Sequence, residues 1–133
     1  MTSIQAIVEA VRTPVLTVAA ASSIPFIVDN SPSDDFAGLW ARVSTTVDSA
    51  VPVMERDRYR YSGTLSIELF APRATGDLVV ANAAELLVNV YRAWRSASPI
   101  VQVVSASITG TSEYADGYAG RIVRVLWTAD VLS

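Results

Sequence analysis

The chain has 133 residues, 51% of them hydrophobic, and a formal net charge of −3, which suits one domain with a real core and excludes a disordered chain. It holds no Cys, no His and no Lys, all ten basic residues being Arg; this excludes disulfides, thiol nucleophiles, the usual metal ligand and neutral-pH acid–base group, and lysine Schiff-base or P-loop chemistry. The negative balance does not suit a general nucleic-acid grip, no apolar run reaches the roughly 18–20 residues of a membrane span, and no basic residue precedes Arg12, so the chain reads as soluble and intracellular without a signal peptide.

Taken in chain order, Ile4, Ile7, Val8 and Val11 recur at the spacing of an amphipathic helix, with Ser3 or Thr2 as its N-cap. Pro14 is expected to kink or end that helix, or to sit in the first turn of a second one running to about Ala21. Pro25–Asp29 is a short β-run, and NSPSDD after it is loop chemistry. Leu39 to Val47 alternates Leu39, Ala41 and Val43 against Trp40, Arg42, Ser44 and Thr46, which predicts a strand. Val51–Asp57, a connecting loop or an irregular edge, leads to the longest alternation in the chain, Arg58–Phe70, which Pro72 ends.

A helix start follows in ATGD, capped by Thr75 or Asp77, and the helix is predicted over Leu78–Arg95. Its apolar stripe reads as Val79, Ala83, Leu86, Leu87, Val90 and Trp94, the last most simply a core residue. Ser98–Pro99 stops it, Val101–Ile108 and Arg121–Leu132 are strands, and Gly110–Gly120 is a long hairpin loop. The sum is an α+β domain spanning residues 1–133, a two-layer arrangement with a mostly antiparallel sheet of about four or five strands and two helices packed on one face. The other face carries polar residues together with Trp40, Phe70 and Leu126, and is either simply exposed or meets another subunit.

Catalytic chemistry finds little footing. Asp34 and Asp35 are adjacent loop acids that read as solvated, and with Asp29 they lack the order of a calcium loop, so neither a metal nor a cofactor is expected. Two patches read as candidate subunit or partner contacts. One is Arg56, Arg58 and Arg60, which either form a solvated face blunting an edge strand or pair with carboxylates of a neighbouring subunit. The other comprises the acidic loops, with Asp34, Asp35, Glu113 and Asp116, beside Tyr114 and Tyr118, which offer contact area or belong to a plain surface loop.

The order of elements, SIQAIVEAVRT, PFIVDN, GLWARVSTTV, RYRYSGTLSIELFAPRATGD and two final strands, resembles the tail terminator (tail completion, minor tail) proteins of long-tailed bacteriophages, with relatives in prophages and gene transfer agents. YSGTLSIELFAPRATG carries most of the likeness, and the VDN turn is next. The resemblance implies a structural virion protein of the head–tail junction, not an enzyme: a homo-oligomeric ring, expected to be a hexamer, that caps the tail tube and stops its polymerisation. It implies as partners the tail tube protein and the head–tail connector or stopper, with DNA as cargo through the channel and no membrane. A ring closes through heterologous contacts between unlike patches. Pro14 departs from the continuous first helix that the family leads one to expect. The alternatives are a tail tube or connector subunit and, in a different class, a small ligand-binding α+β domain.

Overall fold

In the computed structural model, which describes residues 4–21, 26–28, 40–52, 58–72, 77–97, 100–109 and 118–132, the long alternation from Arg58 becomes the middle of a sheet. The elements are α1 (Ile4–Ala21), β1 (Phe26–Val28), β2 (Trp40–Pro52), β3 (Arg58–Pro72), α2 (Asp77–Ala93), β4 (Arg95–Ala97), β5 (Ile100–Thr109) and β6 (Tyr118–Leu132). Six strands pair in the order β1-β2-β3-β6-β5-β4. Every pairing is antiparallel except β1 with β2. Strand β6 inserts between β3 and β5, so those two run parallel with α2 as the crossover between them, a split βαβ unit. The caps at Thr2, Ser3 and Thr75 and the loops at 30–39, 53–57 and 110–117 lie outside the described residues.

The expected two-layer α+β architecture is present, with one core. Leu65, Ile67, Leu69 and Ala71 of β3 lie beside Val123, Val125, Trp127 and Ala129 of β6, Ala41 and Val43 of β2, and Val101 and Ala106 of β5. Both helices close over them through Ile7, Val11 and Val15 of α1 and Val80, Ala84, Leu87, Val88 and Tyr91 of α2. Period-two alternation thus puts one face of every long strand into the same apolar layer. The burial of each such Leu or Ile stabilises the fold by about 1.5–3 kcal/mol. Gly63 lies opposite Trp127 and is buried. A Cβ at this position would overlap the Trp127 indole and the Thr46 carbonyl oxygen, so the glycine is the notch that admits the ring.

Four expectations need correction. The buried stripe of α2 is Val80, Ala84, Leu87, Val88 and Tyr91; of the expected positions, Val79 and Leu86 are 41% and 47% exposed. Apolar residues also flank the polar side of the helix at Leu78, Val79 and Leu86, so its sequence contains two overlapping stripes, and packing selects the one that turns Tyr91 inward. Phe70 sits on the side of β3 opposite the core residues yet is fully buried, with the Arg42 guanidinium 5.6 Å above its ring. The predicted helix end at Arg95 is also too late: α2 stops at Ala93, and Arg95 opens the short strand β4.

Pro14 neither ends α1 nor opens a second helix; it lies buried inside an uninterrupted Ile4–Ala21 helix. A proline there lacks an N–H, and its ring crowds the carbonyl of Ala10 four residues back. The Tyr91 hydroxyl meets the next rung. It accepts from the Val15 N–H at 3.2 Å and donates to the Val11 carbonyl at 2.7 Å, bridging a donor and acceptor one helical turn apart. On the exposed side, Thr13 and Thr17 hydroxyls donate to the carbonyls of Glu9 and Thr13 at 2.9 and 2.8 Å.

Two outcomes are expected in urea denaturation. Leu87→Ala will cost about 2–5 kcal/mol, whereas Leu86→Ala will stay within about 0.5 kcal/mol of the parent; equal costs would contradict this helix phase. Tyr91→Phe strands the Val11 carbonyl and the Val15 N–H and will cost about 1–3 kcal/mol. Burial also raises the Tyr91 pKa above its ordinary value, outweighing the Val15 hydrogen bond, which lowers it. A raised folded-state pKa stabilises below the unfolded value, about 10 for tyrosine, and that stability declines as pH rises beyond it. The parent will therefore lose stability more steeply than Tyr91→Phe above that pH, as followed by circular dichroism.

Candidate functional site

The helices occupy one side of the sheet, so the other side is the broadest surface that strands alone define. Register lays it out in rows across β2, β3, β6 and β5. One row is Arg42, Glu68, Ile122 and Thr109. The next is Ser44, Ser66, Arg124 and Ser107, and the third is Thr46, Thr64, Leu126 and Ser105. The face is dominated by small hydroxyl side chains, with charge placed at a few positions.

Most of that charge is neutralised within the chain. Arg42 donates from Nε and Nη2 to the two Glu68 carboxylate oxygens, each at 3.0 Å. Arg60 makes the same fork to Asp130, from Nε at 2.8 Å and Nη2 at 3.1 Å. Its pKa is raised first by that hydrogen bond and then by the Asp130 charge. Both are bidentate pairings that suit the planar guanidinium. The Asp48 carboxylate accepts from Thr46 at 3.0 Å and Thr64 at 2.8 Å, at the point where β2 shifts register against β3. Arg124 differs: it is exposed and meets neither a carboxylate nor a hydrogen-bond partner among the described residues.

The residues expected to form contact patches are dispersed. Arg56, Asp34, Asp35, Glu113, Tyr114 and Asp116 lie outside the described residues. Arg58 and Tyr118 belong to β3 and β6 but at opposite ends of their ladder, where Arg58 pairs with Leu132 and Tyr118 with Pro72. Arg60 and Pro72 stand twelve positions apart on β3, roughly 40 Å of strand. The structure therefore does not bring the arginine end and Tyr118 together. Arg60, read as a cation for a neighbouring subunit, has its carboxylate in its own chain, supplied by a residue 70 positions away. That partner was invisible without strand register. Arg124 was legible in principle, since it shares the parity of Leu126 on β6.

Among the described residues no group of three His, Cys, Asp or Glu could hold a metal ion, and the buried side chains are apolar apart from the Tyr91 hydroxyl and the Trp127 indole. The Trp127 indole N–H is buried and has no hydrogen-bond partner among the described residues. Among the described residues no helix is long and apolar enough to cross a membrane. The chain matches no family model and no curated protein. It superposes along its length on a solved structure of a protein whose name describes no activity, with a TM-score of 0.71 and 18% identity, covering 100% of this chain and 99% of that one. That similarity establishes a recurring fold.

The Arg60–Asp130 pair generates a test. Arg60 is 53% exposed, so the ion pair is screened by water and salt. Arg60→Ala combined with Asp130→Ala will leave the melting temperature and the sedimentation behaviour near the parental values. Loss of self-association in the double variant would give the pair an intermolecular role.

Proposed function

We infer that the protein is a structural, ring-forming tail terminator of a long-tailed bacteriophage, a prophage or a gene transfer agent. In this role a ring of copies, a hexamer by family resemblance, caps the tail tube, stops its polymerisation and meets the head-side connector or stopper, with DNA passing through as cargo. The observation that carries the reading is the one-sided layering. The helices cover a single face of a long-stranded sheet and leave the opposite face as a broad surface of hydroxyls and ion pairs. Such a surface suits contact between subunits, where a polar, geometrically specific patch sets which copy docks and how.

The sequence likeness adds to this reading, since the stretch that carries most of it ends β3 and leads to α2. A ligand-binding domain of the same fold would need polar groups converging inside the apolar layer, and the described core holds only the Tyr91 hydroxyl, engaged by the α1 backbone, and the Trp127 indole N–H. The absence of His, Cys and Lys from the chain is compatible with a role that performs no chemistry. The mildly acidic balance suits a conduit through which DNA slides without being held.

The test combines light scattering with negative-stain imaging of the purified protein, alone and mixed with polymerising tail tube protein. A terminator will form rings or will bind tube ends and fix tube length. Self-assembly into long tubes would identify a tube subunit instead, and a monomer that never sediments with tubes would overturn the assignment.

A further inference from the structure

We propose that a second copy of this chain docks the outward side of its α2 on the outer face of the sheet, with Glu85 of one copy meeting Arg124 of the next. This rests on the self-assembly reading above and names the surfaces that reading leaves open.

The edges of the sheet are poor joining surfaces. Beyond Val43 in β2 and beyond Gln102 in β5, no further strand is paired on the outside among the described residues. Each of those stretches carries a register irregularity, at Val47/Ser49 and at Val103/Ser105. Arg92 also donates to the Ala106 carbonyl of β5 at 3.2 Å. Bulges and edge-capping charges are the devices by which sheets resist edge-to-edge pairing. The two faces of the molecule remain.

These faces are complementary. With Val80, Ala84, Leu87, Val88 and Tyr91 turned inward, α2 presents Leu78, Asn82, Glu85, Leu86 and Asn89 outward. Leu78 and Leu86 are 70% and 47% exposed. Glu85 has no partner among the described residues, as Arg124 has none on the opposite side of the molecule. Each lone charge has an apolar neighbour on its own surface, Leu86 beside Glu85 and the 40%-exposed Leu126 two residues after Arg124. The amides of Asn82 and Asn89 match the hydroxyls that flank Arg124, namely Ser66 and Ser107. Arg95 shares the outer face by register with Gln102, but it stands on the marginal strand β4. The acidic, apolar stripe and the basic, hydroxyl-rich face are unlike surfaces, so their contact is heterologous and repeats from copy to copy; it makes a ring where the rotation between copies closes and a filament where it does not.

The test measures self-association and tube-end binding of the full chain by sedimentation velocity, with circular dichroism confirming the fold. Glu85→Arg and Arg124→Glu will each weaken association at least about tenfold, and the double swap will restore it to within about threefold, because close charge pairs across an interface couple strongly. The milder Glu85→Gln and Arg124→Gln provide the same comparison if a reversal disturbs folding. An assembling parent that ignores the single changes, or a double swap that fails to rescue, overturns this contact and leaves the ring reading intact. A parent that neither self-associates nor binds tubes overturns both.

Discussion

The Tyr91 hydroxyl joins α1 to α2 by more than apolar contact, and the helix layer depends on it. A proline inside a helix removes one rung of the ladder and strains the next. Here a side chain from the neighbouring helix enters at that place and satisfies both the Val15 donor and the Val11 acceptor. Tyr91 also anchors the far end of α2, where the Trp94 ring stands edge-on to it, 6.0 Å between centroids and 74° between planes. The defect in one helix and the position of the other are therefore a single solution. Removing the Tyr91 hydroxyl takes from the Val15 N–H and the Val11 carbonyl the partner they share, inside a layer that is otherwise apolar save for the Trp127 indole N–H among the described residues.

That layer determines what the sheet can do. Because the helices claim one face, the strands are free to expose the other, and cross-strand register decides which side chains meet on it. Arg42 finds Glu68 and Arg60 finds Asp130 because antiparallel pairing puts them opposite one another. The same register leaves Arg124 among serines. The candidate site is thus a pattern of used and unused charge on the outer face of the sheet.

The strands and helices were legible in sequence where periodicity was strong. The β3 alternation extends only two residues beyond its predicted end, to Pro72, and β5 and β6 begin near their expected positions. Helix phase was harder to read. Val79, Val80, Leu86, Leu87 and Val88 crowd α2 with apolar residues, and the inward set is the one opposite Asn82, Glu85 and Asn89 that also turns Tyr91 into the core. Long-range partners were not legible at all. Nothing local to Arg60 announces Asp130, since what joins them is the insertion of β6 beside β3. Pro14 misled for a related reason: its local rule is sound, and a residue 77 positions later offsets it.

The Gly63 notch has a consequence for alignment. A strand face of Leu, Ile and Val is nearly self-similar, and β3 could slide against β6 by two residues with little change in which side chains are apolar. Trp127 is too large for such a slide. Moved by two, its indole would face Tyr61 or Leu65, each with a side chain where Gly63 has none. The glycine and the indole therefore act as key and keyway, and the alignment they impose extends to every pair on the far side of the ladder. Arg60 meets Asp130 and Arg124 stands beside Ser66 because an aromatic ring on the buried face admits one offset.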